Sequence, residues 1–348
     1  MTRDDLFDVT IIGGGPAGLF SAFYSGLREM KTKIIEYQPQ LGGKVHVYPE
    51  KMIWDIGGMP PVSGADYIKQ AVEQGLTFNP EVVLNEKVTS INRNDDGIYE
   101  LQADSGIHYS KTVIVAVGSG ILNPKKLPIP GSEKFENTNL HYSVESLQHF
   151  KGKTVMISGG GSSATDWANE LESIADRVFI SCRKNNFDCH ESLATRLKNS
   201  SVVCFFHSTI TDLVPDEDGN TINKVELSNH ETGAVNYLPV DDVIVNHGYE
   251  RDTTLLENSE LDIEIADNYF VSGNANSESS MDGLYAAGDI LMHNGKLNLI
   301  AGAFQDAANA VNKAKQYVQP DAEKAAMVSS HNDVFKKRNE KLKKQMFE

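Results

Sequence analysis

Two glycine clusters and the polar residues that follow them carry most of the chemistry legible in this chain. Gly13-Gly14-Gly15-Pro16-Ala17-Gly18 follows an apolar run with Val9, Ile11 and Ile12, and opens a helical stripe of Leu19, Phe20, Phe23 and Leu27. Glycines at this spacing between a strand and a helix are the fingerprint of a dinucleotide-binding turn. Gly13 permits the tight turn, Gly15 lets backbone approach a pyrophosphate, and Gly18 lets the helix lie close on the strand. Backbone N–H groups and the dipole at the helix start then hold the phosphates. The next strand, Lys33-Ile34-Ile35, ends at Glu36, where an acid can accept hydrogen bonds from ribose hydroxyls.

The arrangement recurs. The strand Thr154–Ser158 runs into Gly159-Gly160-Gly161-Ser162-Ser163-Ala164, with Gly159, Gly161, Ser162 and Ser163 as the expected nucleotide contacts. Here the following strand, Arg177–Ser181, leads into Cys182-Arg183-Lys184. Two cations stand where the first cluster has an acid, which suits a 2′-phosphate. The residues therefore assign FAD to the first cluster and NADPH, through Arg183 and Lys184, to the second.

The elements that must position these turns also come in two sets. After the first fingerprint the apolar spacing predicts a helix over 65–74 closed by Gly75, then strands at Val88–Arg93, 98–103 and 107–110 joined by Asp-Gly and Ser-Gly turns. A buried parallel strand is expected over 112–117, ending at Gly118. The second fingerprint helix carries the stripe Ala164, Trp167, Ala168, Leu171, Ile174 and Ala175. Another meander, centred on Asp218-Gly219 and Thr232-Gly233, and an apolar strand over 243–246 follow. Toward the end, Leu284-Tyr285-Ala286-Ala287-Gly288-Asp289 reads as a strand, 300–314 as a long helix, and a polar helix begins near Ser329-Ser330. The expected fold is α/β, with two Rossmann-like domains and the second inserted in the first: residues 1–118 and 249–348 for FAD, 119–248 for NADPH.

Composition bounds the rest. A chain of 348 residues, 40% hydrophobic and 23% charged, has the make-up of an ordinary globular protein of about two domains. The net charge of −16 argues against nucleic acid or an anionic membrane as the main partner. No signal peptide is evident in MTRDDLFD and no apolar run is long enough to span a membrane, so the expected location is the cytoplasm. Cys182, Cys189 and Cys204 show no CxxC spacing, and no metal site or catalytic nucleophile is indicated.

Together the two fingerprints, Tyr48-Pro49-Glu50-Lys51, Asn139-Leu140-His141-Tyr142 and Ala287-Gly288-Asp289 resemble the ferredoxin–NADP reductases of the thioredoxin-reductase-like type. Gly43-Lys44, Trp54-Asp55-Ile56-Gly57-Gly58 and Val328-Ser329-Ser330-His331 are similar in particular to its iron-utilisation flavin oxidoreductases. The resemblance implies a homodimer with one FAD per subunit, reduced by NADPH and oxidised one electron at a time. By position it places Glu36 at the adenosine ribose, Lys44 near the flavin, Tyr48 on one ring face, Val88 at the adenine end, Leu122 beside the cofactor and Asp289 on the ribityl chain. Ser329 or Ser330 would come from a C-terminal segment covering the flavin. Departures from the family pattern are Lys44 for Gln, Leu122 for Phe, and Asp188 for the last Arg of the 2′-phosphate stretch. Asp188 sets an anion beside the expected phosphate.

Flavin chemistry requires no protein acid or base, and none is assigned. A thioredoxin reductase would need a dithiol where this chain has Ser162-Ser163-Ala164. A bacillithiol-disulfide reductase would need a cysteine where Ala17 stands. A nucleotide-binding sensor without turnover is a third reading, marked by a colourless protein or by a yellow one that NADPH never bleaches. The acceptor stays open between ferredoxin or flavodoxin and a ferric siderophore or haem-degrading partner. An acidic carrier would need a local basic patch, which the lysines near the C-terminus could provide.

Overall fold

Apolar runs that are buried on both faces set the parallel cores of the two main sheets of this computed structural model, which describes residues 5–120 and 123–347; in the first, Tyr99–Ala103 and Val88–Arg93 add antiparallel. Among these, 5–46, 52–120 and 251–347 form one unit, and 47–51 with 123–250 form another. Leu122 lies outside the described residues.

In the first unit six strands lie in the order Glu81–Val83, Thr32–Ile35, Leu6–Ile12, Gly106–Val115, Tyr99–Ala103, Val88–Arg93. Leu284–Ala286, far along the chain, pairs in parallel with the end of Gly106–Val115. Ile11 sits between Ile34 and Ile114 in the ladder, and all three are fully buried, as a sheet covered on both faces requires. Where the sequence suggests two strands, 107–110 and 112–117, there is one strand of ten residues. Its polar middle stays in the sheet because Ser110 donates to the Thr112 carbonyl at 2.7 Å and Thr112 donates to the Asp8 carbonyl at 2.7 Å.

The fingerprint helix Pro16–Leu27 buries Ala17, Gly18, Leu19, Ser21, Ala22 and Ser25. Of the expected stripe only Leu19 is fully buried. The small side chains let this helix approach both the sheet and the long helix Ile300–Val318, which answers with Ala303, Ala307, Ala310 and Ala314. Phe20 and Phe23 instead join a half-exposed aromatic row: Phe20 meets Phe304 at 5.0 Å and Phe23 meets Phe78 at 5.8 Å. The row ends on Phe335, 5.7 Å from Phe78. That contact anchors the C-terminal segment, whose helix runs over Lys336–Phe347 after two short turns and not from Ser329.

The second unit repeats the parallel core with strands in the order Val203–Phe205, Arg177–Ser181, Thr154–Ser158, Asp242–Val245, Leu140–His141. Its fingerprint helix, Ser162–Leu171, stops before Ile174. An antiparallel meander, Ser208–Pro215, Ile222–Asn229 and Val235–Pro239, packs beside it. Buried Asn139 staples the two: its amide donates to the Ile222 and Asp241 carbonyls at 2.9 and 2.8 Å, and its oxygen accepts from the Ile222 N–H at 2.9 Å. The unit continues past 248 because Tyr249 bridges Pro124 and the Glu250 N–H bonds the Asn123 carbonyl. Residues 47–51 join it through Lys51, which pairs with Asp166 and Glu170 and lies 3.8 Å from the Trp167 ring centroid. Among the described residues no helix is long and apolar enough to cross a membrane.

Candidate functional site

The first glycine turn is held from three sides. Gly13 has φ +108°, and a Cβ there would collide with the Ala116 carbonyl on the neighbouring strand. A Cβ at Gly18 would collide with the Gly13 carbonyl. Packing therefore demands glycine at both positions. Gly15 differs: it is the N-cap, its φ of −76° suits any residue, and its Cβ would find only Gly43 Cα at an ordinary 3.7 Å. Nothing in the protein requires glycine at 15. Space is left open beside a helix start that has no side-chain cap and no acid in its first turn. Such a start, with free N–H groups and a positive dipole end, fits a pyrophosphate.

Glu36 closes the turn from below. It is buried, and its carboxylate accepts the Gly14 N–H at 2.6 Å and the Gln38 N–H at 2.7 Å. A carboxylate has about four acceptor positions, so two remain for ribose hydroxyls. The loop Leu41-Gly42-Gly43 folds over the same turn, with the Gly42 N–H on the Gly14 carbonyl at 2.9 Å. This sets Lys44, exposed on the turn Gly43–Val47, next to it. On the far side Gly288 packs on Ala17, where a Cβ would lie 2.9 Å from the alanine's own. Its N–H donates to Asp306, which Lys296 neutralises. Asp289, half-buried, is thereby fixed near the start of the fingerprint helix.

The remaining expected contacts of this site are placed differently. Val88 is 5% exposed with its side chain in the core, which leaves only its backbone for a nucleotide. Ser329 and Ser330 are exposed on a single turn, and the segment's anchor, Phe335, meets Phe23 two helical turns beyond Gly15. Tyr48 lies in the 47–51 segment, half-buried against the second unit's core.

In the second unit Gly159 meets the strand Asp242–Val245 as Gly13 meets its own neighbour: a Cβ would lie 2.6 Å from the Asn246 carbonyl. Gly161 caps the helix and has open space. Ser162 and Ser163 are exposed in the first turn. The 183–188 loop folds back on the glycines, with the Asp188 N–H on the Gly160 carbonyl at 2.7 Å. Arg183 and Lys184 stand exposed there, and Lys184 pairs with Asp188 at 3.1 Å, in the open. His247, which no short motif marks, belongs to the same end of the sheet. Its Nε2 is 2.9 Å from Ser158 Oγ; the residue is exposed, but partial desolvation of its ring, together with the Arg183 charge, holds the imidazole below its usual range.

Two glycine turns, each on the parallel core of a sheet and each with a bare helix start, are features that comparison with known proteins places in a known family. Residues 7–314 fit the pyridine nucleotide-disulphide oxidoreductase family. The chain belongs to that family. It is 68% identical over 347 residues, 99% of each chain, to ferredoxin–NADP reductase 1 of Bacillus mycoides. The corresponding protein of Bacillus licheniformis is 65% identical over the full length of both chains. Solved structures give the same fold. Thioredoxin reductases of T. acidophilum and Lactococcus lactis superpose with a TM-score of 0.77 at 22% and 24% identity, covering 90% of this chain and 98% and 99% of theirs. This pyridine nucleotide oxidoreductase thus has the thioredoxin reductase fold, with serines at 162 and 163 and cysteines far apart in sequence at 182, 189 and 204.

Proposed function

We propose that this oxidoreductase takes hydride from NADPH onto a bound FAD and delivers single electrons to ferredoxin, the activity for which its 63–68% identical relatives are named. FAD, when bound, supplies the hydride acceptance and the release of electrons one at a time. The chain's residues bind and orient. The N–H groups at the start of Pro16–Leu27 hold the pyrophosphate, Glu36 takes the adenosine ribose, and Asp289 takes the ribityl hydroxyls. Lys44 and the Val88 backbone complete the set that holds FAD within the first unit. In the second unit Gly159, Gly161, Ser162 and Ser163 receive the NADPH phosphates. Arg183 reads the 2′-phosphate, and Lys184 does so less strongly because Asp188 competes for it. The observation that carries the reading is the pair of glycine turns in which packing forbids a side chain at Gly13 and Gly159 yet leaves Gly15 and Gly161 open.

Ferredoxin, a small acidic carrier, would be drawn to an exposed helix rich in cations. Lys336–Phe347 presents Lys336, Lys337, Arg338, Lys341, Lys343 and Lys344 against a single acid, Glu340, on a chain of net charge −16. The test is anaerobic reoxidation of the NADPH-reduced enzyme by ferredoxin, flavodoxin and ferric chelates in parallel. Ferredoxin should react fastest, more slowly with added salt, and more slowly with the variant K341E/K344E. A ferric chelate that outpaces both protein carriers would replace this reading with iron reduction.

A further inference from the structure

The carboxyl ends of the second unit's parallel strands carry the glycine turn. At their amino ends a different group converges. Asp242 begins the strand Asp242–Val245, His141 ends the edge strand Leu140–His141, and His149 sits on the single turn Leu147–Phe150. Both imidazoles aim Nε2 at one carboxylate oxygen: His141 is 2.6 Å and His149 3.0 Å from Asp242 Oδ1. One ligand atom from each residue lies within 4.8 Å of the others. The two rings meet edge to face at 5.1 Å, and each stands edge-on to buried Phe150, at 5.4 and 4.8 Å. Their orientation is therefore set by packing as well as by hydrogen bonds.

The polar bonding of this cluster does not close. Asp242 is 1% exposed, and its second oxygen receives no aligned hydrogen bond. Lys153 Nζ lies 2.9 Å from that oxygen as its only close cation among the described residues, in an ion pair whose alignment is poor. The same ammonium is 3.1 Å from His149 Nε2. One imidazole nitrogen cannot both donate to Asp242 and accept from Lys153. A cation that took all three ligand atoms at once would remove this competition.

We propose that His141, His149 and Asp242 bind a first-row divalent cation of the Zn2+ kind, and that Lys153 fills the cation's place when no metal is bound. Two imidazole nitrogens and one carboxylate oxygen, with further positions for water, are a recognised donor set for such ions. Metal–ligand bonds of about 2.0–2.1 Å in tetrahedral geometry put ligand atoms roughly 3.3 Å apart, so the present contacts need to open by less than about 1 Å. His149 is partly exposed on a one-turn element and can give that much. Lys153, with a third of its side chain in solvent, can swing out to water. A depression of about 370 Å3, lined among others by His149, Lys153, Asp216, Thr221 and Asp242, gives a metal and its water ligands access. The site lies within one unit, and its residues are 93 to 101 positions apart from Asp242 in sequence.

The test uses the full chain as purified with its flavin, dialysed against chelator and then titrated with Zn2+ alone. Bound metal is counted by mass spectrometry, and the same proteins are loaded with Co2+ for visible spectra. Wild type should hold one Zn2+ that H149A lacks. K153M should bind it on the order of tenfold more tightly, because a neighbouring positive charge is gone. The double variant K153M/H149A should lose that gain. The Co2+ spectrum should lack a thiolate charge-transfer band, separating this site from Cys182, Cys189 and Cys204. His149 is partly exposed, so H149A is expected to fold, and an unchanged circular dichroism spectrum and melting curve without metal checks this. No stoichiometric Zn2+ on wild type, binding unchanged in H149A, or a thiolate band would each overturn the assignment. Equal affinity in K153M and wild type would overturn the place given to Lys153.

Discussion

Alanine at Gly15 and at Gly18 should separate binding from folding in the first unit. Both changes add one methyl group to the same turn. At Gly18 the methyl has no room, since it would overlap the Gly13 carbonyl within a strand-to-helix junction that cannot part without breaking the Gly13–Ile35 hydrogen bond of 2.8 Å. At Gly15 the only near atom is Gly43 Cα at 3.7 Å. Loss of backbone freedom in the unfolded chain favours Gly15→Ala by about 0.4–1 kcal/mol, and the poorer N-cap costs at most a similar amount, so its stability should stay within roughly 1 kcal/mol of wild type. Nucleotide affinity should not survive as well. A methyl at the helix start that displaces even one phosphate-to-N–H bond costs about 1.5–3 kcal/mol, roughly 10- to 150-fold in Kd. Urea melts of the flavin-free proteins and fluorescence titration with FAD measure the two quantities separately. Gly15→Ala should fold and bind weakly, while Gly18→Ala should be unstable at the outset. Undiminished FAD affinity in a folded Gly15→Ala protein would refute the reasoning, and so would equal destabilisation by the two changes.

Asn139→Ala removes three hydrogen bonds, two of them buried, and orphans the Ile222 N–H, so unfolding in urea should show a loss of about 2–4 kcal/mol. His247 is exposed, yet partial desolvation of its ring first and Arg183 second hold it below its ordinary value of 6.5, so its effect is small. The folded protein resists a proton that the unfolded chain accepts, so this contribution is whole above pH 6.5 and is lost as pH falls from there through the folded value. Melting temperatures at about pH 7.5 and 5.5 should therefore differ less in H247Q than in wild type. Arg183→Ala should raise KM for NADPH by roughly ten- to a hundredfold and leave that for NADH nearly unchanged, in steady-state assays with a dye acceptor. With Cys182, Cys189 and Cys204 all changed to Ser, the same dye assay should retain its rate, because no thiol relay is needed.

What the sequence discloses about this fold depends on how local the cause is. Val88–Arg93 and Thr154–Ser158 are readable to the residue because each is bounded by its own turn or glycine signal. The ten-residue strand Gly106–Val115 is not, since Ser110 and Thr112 look like a break until Asp8 and Phe7 are beside them. The buried face of Pro16–Leu27 misleads for a related reason. Large side chains draw the eye, yet the partner helix offers alanines, so small residues face inward and the phenylalanines are left to an outer row. At the nucleotide turns the glycines and Glu36 are legible from spacing, whereas the Lys296–Asp306 support under Gly288 and the position of His247 come from residues brought in by the sheet. The His141, His149 and Asp242 cluster has no signature in any short window.

The late arrival of Leu284–Ala286 governs how this chain can be made. It completes the first sheet against Gly106–Val115, and the helix that covers the alanine face of Pro16–Leu27 follows only at Ile300. On a ribosome adding about 5–20 residues per second, roughly 170 residues and some ten to thirty seconds separate the two halves of that sheet. Throughout the interval the nascent chain exposes an open strand edge and a bare helix face, while the inserted segment can already have folded from its own contiguous sequence. Chaperone demand during synthesis should therefore centre on the amino-terminal hundred or so residues, and a circular permutant that begins at Arg251 would bring both halves out together.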